Sequence, residues 1–299
     1  MGNLVIGVPH GWPSVVTLPY DLAATSPILA DAGVTLEVVE GPYGDLSDWL
    51  ASGRIDLCRR GPDVDVVAAA GGTPIVCCAV AVQAVPARVV VHRQVGKPSD
   101  LVGRRVAVID PTMGSTLALQ TWLADEGVDV EQVQLDVLGG TPQRLSAVAS
   151  GAAAATVVTA PSYFTLPPEV RTAAELDQAL GPFIFSGVQV HRTVAEHRKD
   201  DIAAYLAAVM DAVDRILDDR ESPDRIAALM QVDTDIAAAA MERARRMGWY
   251  PRQMAFDPSA TTAMVDALKK FGHVPDEFDV DSWIWQDART AAVELLHRR

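Results

Sequence analysis

The side chains able to hold or transform a small acid fall in a few short stretches. Arg59 and Arg60 precede a glycine turn, Gly61-Pro62-Asp63. A guanidinium forks onto carboxylate, sulfonate or phosphate with two parallel hydrogen bonds, so one of this pair is expected to face a ligand. The alternative is pairing with Asp63, Asp65 or another carboxylate. Gly114-Ser115-Thr116 opens a helix, where free N–H groups and the positive dipole end attract an anion. Without a ligand, the same hydroxyls would simply cap that helix. His10 and Trp12 sit in the proline-braced loop Pro9-His10-Gly11-Trp12-Pro13-Ser14. There an imidazole could act as hydrogen-bond partner or base and an indole as a flat apolar wall; a solvated His10 and a packed Trp12 are the plain alternatives. Thr159 and Tyr163 offer hydroxyls from Thr159-Ala160-Pro161-Ser162-Tyr163, or serve only their own loop. Cys58 lies in a strand with no base or nucleophile signature nearby, which suits a buried thiol better than a reactive one.

These stretches need a frame. An apolar strand over 105–109 runs into a turn over 110–114, then an amphipathic helix, a second strand, a second helix and a third strand. That βαβαβ run is the unit of a parallel sheet. The N-terminal part repeats the plan: Ser150-Gly151 follows Ser52-Gly53 by 98 residues, each closing a helix with the usual left-handed glycine. Two similar α/β lobes imply a cleft at the carboxyl ends of their strands. Strands are also expected over 4–8, 35–40, 54–58, 75–82, 89–91, 156–159 and 183–191. Ser186-Gly187 would allow a bend in the strand that returns to the first lobe. Helices are expected over 18–32 with a break at Pro27, then 46–51, 64–70, 202–217, a helix led by Asp233 to Gly248, 258–271 and 280–296. Arg243, Arg245 and Arg246 form a basic run expected on a solvated face.

Four stretches give these patterns a family likeness: Leu50-Ala-Ser-Gly-Arg-Ile-Asp-Leu, Ala70-Gly-Gly-Thr-Pro-Ile, Asp100-Leu-Val-Gly-Arg-Arg-Val-Ala-Val and Gly139-Gly-Thr-Pro-Gln-Arg-Leu. The chain resembles the type II periplasmic-binding-protein fold, and within it the binders of sulfonates, taurine, nitrate and thiamine precursors, the NMT1/THI5-like group. The likeness covers roughly 3–190 in order. It implies an α/β protein of two lobes, each a mixed sheet flanked by helices, with the ligand cleft between them. The lobes would be 1–90 with 190–299, and 91–189. It implies binding of a small anionic carboxylate or sulfonate, as a solute-binding protein of the ABC-transporter type, without cofactor or metal. The ligand set would be His10, Trp12, Arg59, Arg60, Gly114, Ser115, Thr116, Thr159 and Tyr163. The same superfamily holds decarboxylases and desulfinases, so the alternative is a cytoplasmic lyase with His10 as its acid or base. Desulfinases of this kind carry a cysteine in the first loop, where this chain has His10. An intracellular ligand sensor is a third reading.

The chain has 299 residues, enough for two lobes with real cores. A net charge of −14 argues against nucleic acid as a partner. Cys58, Cys77 and Cys78 give neither a disulfide framework nor metal spacing. The N-terminus shows no leader pattern and no run long enough to span a membrane. The expectation is a cytoplasmic protein if this is the whole gene product. If a leader was removed, it is a periplasmic or surface protein with an ABC permease as partner.

Overall fold

Short apolar strands alternate with glycine-closed helices to build two sheets of one design. A computed structural model describes residues 2–10 and 13–298; Trp12 lies outside them. The first half runs β1 (Gly2–Pro9), α1 (Leu18–Ala23), α2 (Pro27–Asp31), β2 (Val34–Gly41), α3 (Leu46–Ala51), β3 (Leu57–Arg60), α4 (Asp63–Ala70) and β4 (Ile75–Ala84). Next come β5 (Ala87–His92), β6 (Arg105–Val108), α5 (Gly114–Asp125), β7 (Gln134–Val137), α6 (Thr141–Ala149), β8 (Ala155–Thr159), β9 (Val170–Glu175) and α7 (Leu176–Ala179). The chain then returns through β10 (Pro182–His191) to α8 (Arg192–His197), α9 (Lys199–Leu217), α10 (Pro223–Met230), α11 (Thr234–Met247), α12 (Pro258–Lys270) and α13 (Asp287–His297).

The first sheet has the order β2-β1-β3-β10-β4 and the second β7-β6-β8-β5-β9. In each, the first three strands are parallel and the fourth is antiparallel to both its neighbours. The fourth strand of each sheet is the crossover from the other half of the chain, so β5 and β10 are the two links. The boundaries at 90/91 and 189/190 therefore fall inside those strands. The repeat survives in detail: Ser52 and Ser150 close α3 and α6, and Gly53 and Gly151 take φ of +72° and +77°.

Two elements differ from the sequence expectation for a physical reason. β3 begins at Leu57 and includes Arg59 and Arg60, because both pair with Val188 and Gly187 of β10. Trp283 to Trp285 are not the start of the last helix. The Trp283 carbonyl accepts from Cys77 N at 2.9 Å and Trp285 N donates to the Cys77 carbonyl at 2.9 Å. This segment covers the open edge of β4, which would otherwise expose unpaired backbone, and α13 starts only at Asp287. Cys58, Cys77 and Cys78 are buried, and burial pushes the thiols of Cys58 and Cys77 up to about 12.

The cores are shared between the halves. One cluster joins Leu4, Leu57 and Val76 with Ala107, Val158 and the buried face of α9; the other joins Val80 and Ile184 with Val106, Leu119 and α12. Arg243 is the polar counterpart of this sharing. It is buried rather than solvated: α11 directs it at two carboxylates, one closing β9 and one in α7. Its Nε and Nη2 donate to Asp177 at 2.9 and 2.6 Å, and Nη2 reaches Glu175 at 2.9 Å. Trp249 Nε1 also donates to Asp177, at 3.0 Å. Burial works against the Arg243 charge, but these carboxylates hold it firmly protonated. Lysine keeps the charge and loses the fork. Arg243→Lys should therefore lower unfolding free energy by about 2 kcal/mol, the scale of a hydrogen bond to a charged partner, read from urea denaturation.

Candidate functional site

A cavity of about 330 Å³ opens where the carboxyl ends of β1, β2, β3, β6 and β8 converge. Val8, Pro9, Val16, Ile109, Met113 and Phe185 give it an apolar body, and Thr17, Tyr20, Tyr43, Ser115, Thr159 and Ser186 supply polar groups. Of the residues expected from the sequence, His10, Arg59, Arg60, Gly114, Ser115 and Thr159 line it. Thr116 and Tyr163 do not. Thr116 is buried and its Oγ1 donates to the Asp110 carbonyl at 2.7 Å, which ties the turn to the helix. Tyr163 is buried behind β5, with the Arg88 guanidinium 4.1 Å above its ring.

The two arginines are sorted by strand geometry. Successive strand residues point to opposite faces, and Arg60 turns inward. Its Nε and Nη2 meet Asp65 at 3.0 and 2.6 Å, Nη2 also reaches Ser47 at 2.5 Å, and Nη1 donates to the Tyr43 carbonyl. Both charged side chains of the pair are fully buried. Burial opposes the Arg60 charge, and Asp65 beside it more than offsets that. Arg60 therefore carries the cavity wall through Tyr43 and has no fork left for a ligand. Arg59 turns the other way, 3.1 Å from Asp21 of α1 and 5.3 Å over the Tyr20 ring. Its Nε has no partner among the described residues.

The α5 start is uncapped. Its N-cap is Met113, with no side-chain acceptor, and neither Gly114 N–H nor Ser115 N–H meets an acceptor among the described residues. Ser115 and Thr116 thus do not cap the helix as the sequence suggested. Instead, Asp110 accepts from Thr112 and Thr116, and the first two donors stay open toward the cavity. Arg144 of α6 does not line the cavity; it is buried among carbonyls and hydroxyls of Gly139, Thr141, Thr156 and Val157. Burial lowers its pKa to about 10.

Several lining groups were not singled out from the sequence. Tyr20 and Asp21 read only as part of a helix, although they follow the first loop directly. Tyr20 Oη meets Ser186 Oγ at 3.2 Å on the cavity floor. Glu40 ends β2 and lies 3.4 Å from His10 Nδ1 at the mouth, both side chains about two-thirds exposed. Asp63 stands behind the wall. It is 2% exposed, Oδ1 accepts from Tyr43 Oη at 2.9 Å, and Oδ2 has no partner among the described residues. Burial raises it to about 6. A Cβ on Gly61 would fall 2.5 Å from Asp63 Oδ1, and one on Gly114 would fall 3.1 Å from it. Glycine at both places leaves room for this carboxyl group.

Among the described residues, no group of His, Cys, Asp and Glu could hold a metal ion, and no helix is long and apolar enough to cross a membrane. A family model described as NMT1/THI5 like matches residues 20–220. No curated relative matches the chain by sequence. Among solved structures, the alkanesulfonate-binding protein SsuA from Xanthomonas axonopodis, bound to MOPS, superposes with a TM-score of 0.76 at 19% identity, covering 96% of this chain and 99% of that one. The periplasmic nitrate-binding protein NrtA from Synechocystis gives 0.76 at 15%, covering 100% and 90%. The desulfurization enzyme DszB gives 0.69 at 16%, covering all of both chains. At these identities the likeness is one of fold.

Proposed function

The chain belongs to the NMT1/THI5-like family, and from that premise we propose that it binds a small organic carboxylate or sulfonate between its lobes, as the solute-binding protein of an ABC-type importer. One observation carries this reading: the uncapped α5 start, whose Gly114 and Ser115 N–H groups open onto an apolar cavity. A helix N-terminus with unpaired donors is a prepared seat for an anion. The Ser115 hydroxyl and the part-shielded Arg59 can complete the set, while Met113, Ile109 and Phe185 take the organic body. Binding of sulfonate and of nitrate by the SsuA and NrtA proteins agrees with this chemistry. An importer's receptor works beyond the membrane, so the reading places the protein on that side with a permease as partner.

The lyase alternative has less support. His10 and Glu40 pair at the open mouth, where water screens them, and the three cysteines are buried away from the cavity. Isothermal titration with alkane and aryl carboxylates and sulfonates, followed by mass spectrometry of the recovered ligand, separates the two. Saturable binding with the ligand mass unchanged is expected. Loss of carbon dioxide or a sulfur oxide would establish the lyase instead, and heat-silent titrations across the panel would remove the anion reading.

A further inference from the structure

We propose that Asp63 is a proton site coupled to the anion seat: its carboxyl group takes up one proton when an anion docks on the start of α5. The inference rests on the binding reading above and adds what that seat requires of its neighbour. Asp63 belongs to the first lobe, yet its Oδ1 would stand 3.1 Å from a Cβ on Gly114, one of the two residues that present the open donors. An anion held by those donors therefore has a buried carboxylate close behind its seat, in addition to Asp21 and Glu40 on the cavity lining. A second negative charge beside a buried carboxylate raises that carboxylate's pKa, so a docked anion favours the protonated form of Asp63.

The hydrogen bonding around Asp63 has a place for that proton. Tyr43 Oη has one hydrogen and two acceptors, Asp63 Oδ1 at 2.9 Å and the Gly61 carbonyl at 3.2 Å. With Asp63 ionised, one of them is under-served, and Oδ2 is buried with no partner. With Asp63 protonated, the acid can donate to Tyr43 and Tyr43 to Gly61. The charged and titratable groups around it do not supply a substitute. Tyr43 comes from the loop after β2. Arg60 from β3 is already forked onto Asp65 of α4. The α5 start brings N–H groups and no charged side chain, and β10 brings the Phe185 carbonyl toward Gly61. Burial pushes the Asp63 carboxyl up most strongly, and the Tyr43 hydrogen bond and the Arg60 charge favour the ionised form, which leaves the group at about 6.

The sign follows by linkage. A bound anion raises the Asp63 pKa, so binding takes up a proton and affinity rises as pH falls. The test is isothermal titration of butanesulfonate, whose charge is constant over pH 5–8, in buffers free of phosphate and sulfonate that differ in heat of ionisation. Proton uptake approaching one per ligand is expected above pH 7, with affinity falling about tenfold or more from pH 6 to pH 8. Asp63→Asn should abolish the uptake, flatten the pH profile to within about twofold, and bind more tightly than the parent at pH 8. Its melting temperature should exceed the parent's above pH 6, where the parent carries a buried charge. Binding without proton uptake, or uptake that survives in Asp63→Asn, overturns the inference and leaves the anion reading intact. Absence of butanesulfonate binding at every pH, with carboxylates also silent, overturns both.

Discussion

Ser115→Asp should cost the protein its anion affinity by roughly 100-fold or more, the scale of losing charge-assisted hydrogen bonds and gaining a like charge. Its fold should be kept. The substitution places a carboxylate in the first turn of α5, over the seat that an anion would use. A first-turn acid is favourable to a helix, by about 0.3–1 kcal/mol at an exposed start, and α5 has neither a cap nor an acidic residue in its first turn. At pH 5, where Asp63 is protonated and opposes no new carboxylate, stability should hold or rise while binding falls. A damaged fold would lower both, and a residue outside the site would leave binding unchanged. Titration calorimetry against the panel and a thermal melt read the two quantities on one sample. Unchanged affinity would remove the α5 start from the binding site, whatever the melt shows.

This separation depends on a feature that the sequence states in part. The strand, turn and helix from Arg105 to Asp125 follow from hydrophobic period and from Gly-Ser-Thr at a helix start. The repeat across 98 residues follows from Ser-Gly at two helix ends. What the letters could not say is which hydroxyl caps. Ser and Thr at a helix start normally accept from its free N–H groups, yet here Thr116 donates backwards to Asp110 and the donors stay open. Tertiary pairing also decided β3. Its arginines read as a turn after a strand because charged residues rarely continue one, but β10 supplies ladder partners and α3 and α4 supply Asp65 and Ser47. Arg243 was illegible for the same reason. Nothing near it in sequence predicts Glu175 and Asp177, more than 60 residues away. β5 and β10 each pair in the sheet of the other half of the chain, a pairing that local pattern does not encode.

Arg60 carries the second large effect. Its fork onto Asp65 is fully buried, and the same guanidinium holds Ser47 and the Tyr43 carbonyl. Arg60→Met should reduce unfolding free energy by about 3–5 kcal/mol, because Asp65 is left as a buried charge with one hydroxyl for company. Urea denaturation measures this. Adding Asp65→Leu removes the stranded charge, and the double variant should regain most of the loss, since an apolar pair of similar volume can replace a buried ion pair at little net cost. Binding should not recover with it. The Tyr43 carbonyl would still lack its donor, and Tyr43 both lines the cavity and holds Asp63. A double variant as stable as the parent but weaker for the anion would make Arg60 a positioning residue that acts through Tyr43. Full recovery of affinity would confine Arg60 to the fold. Failure of the second substitution to restore stability would mean that the backbone contact to Tyr43, rather than the ion pair, is what the buried arginine chiefly supports.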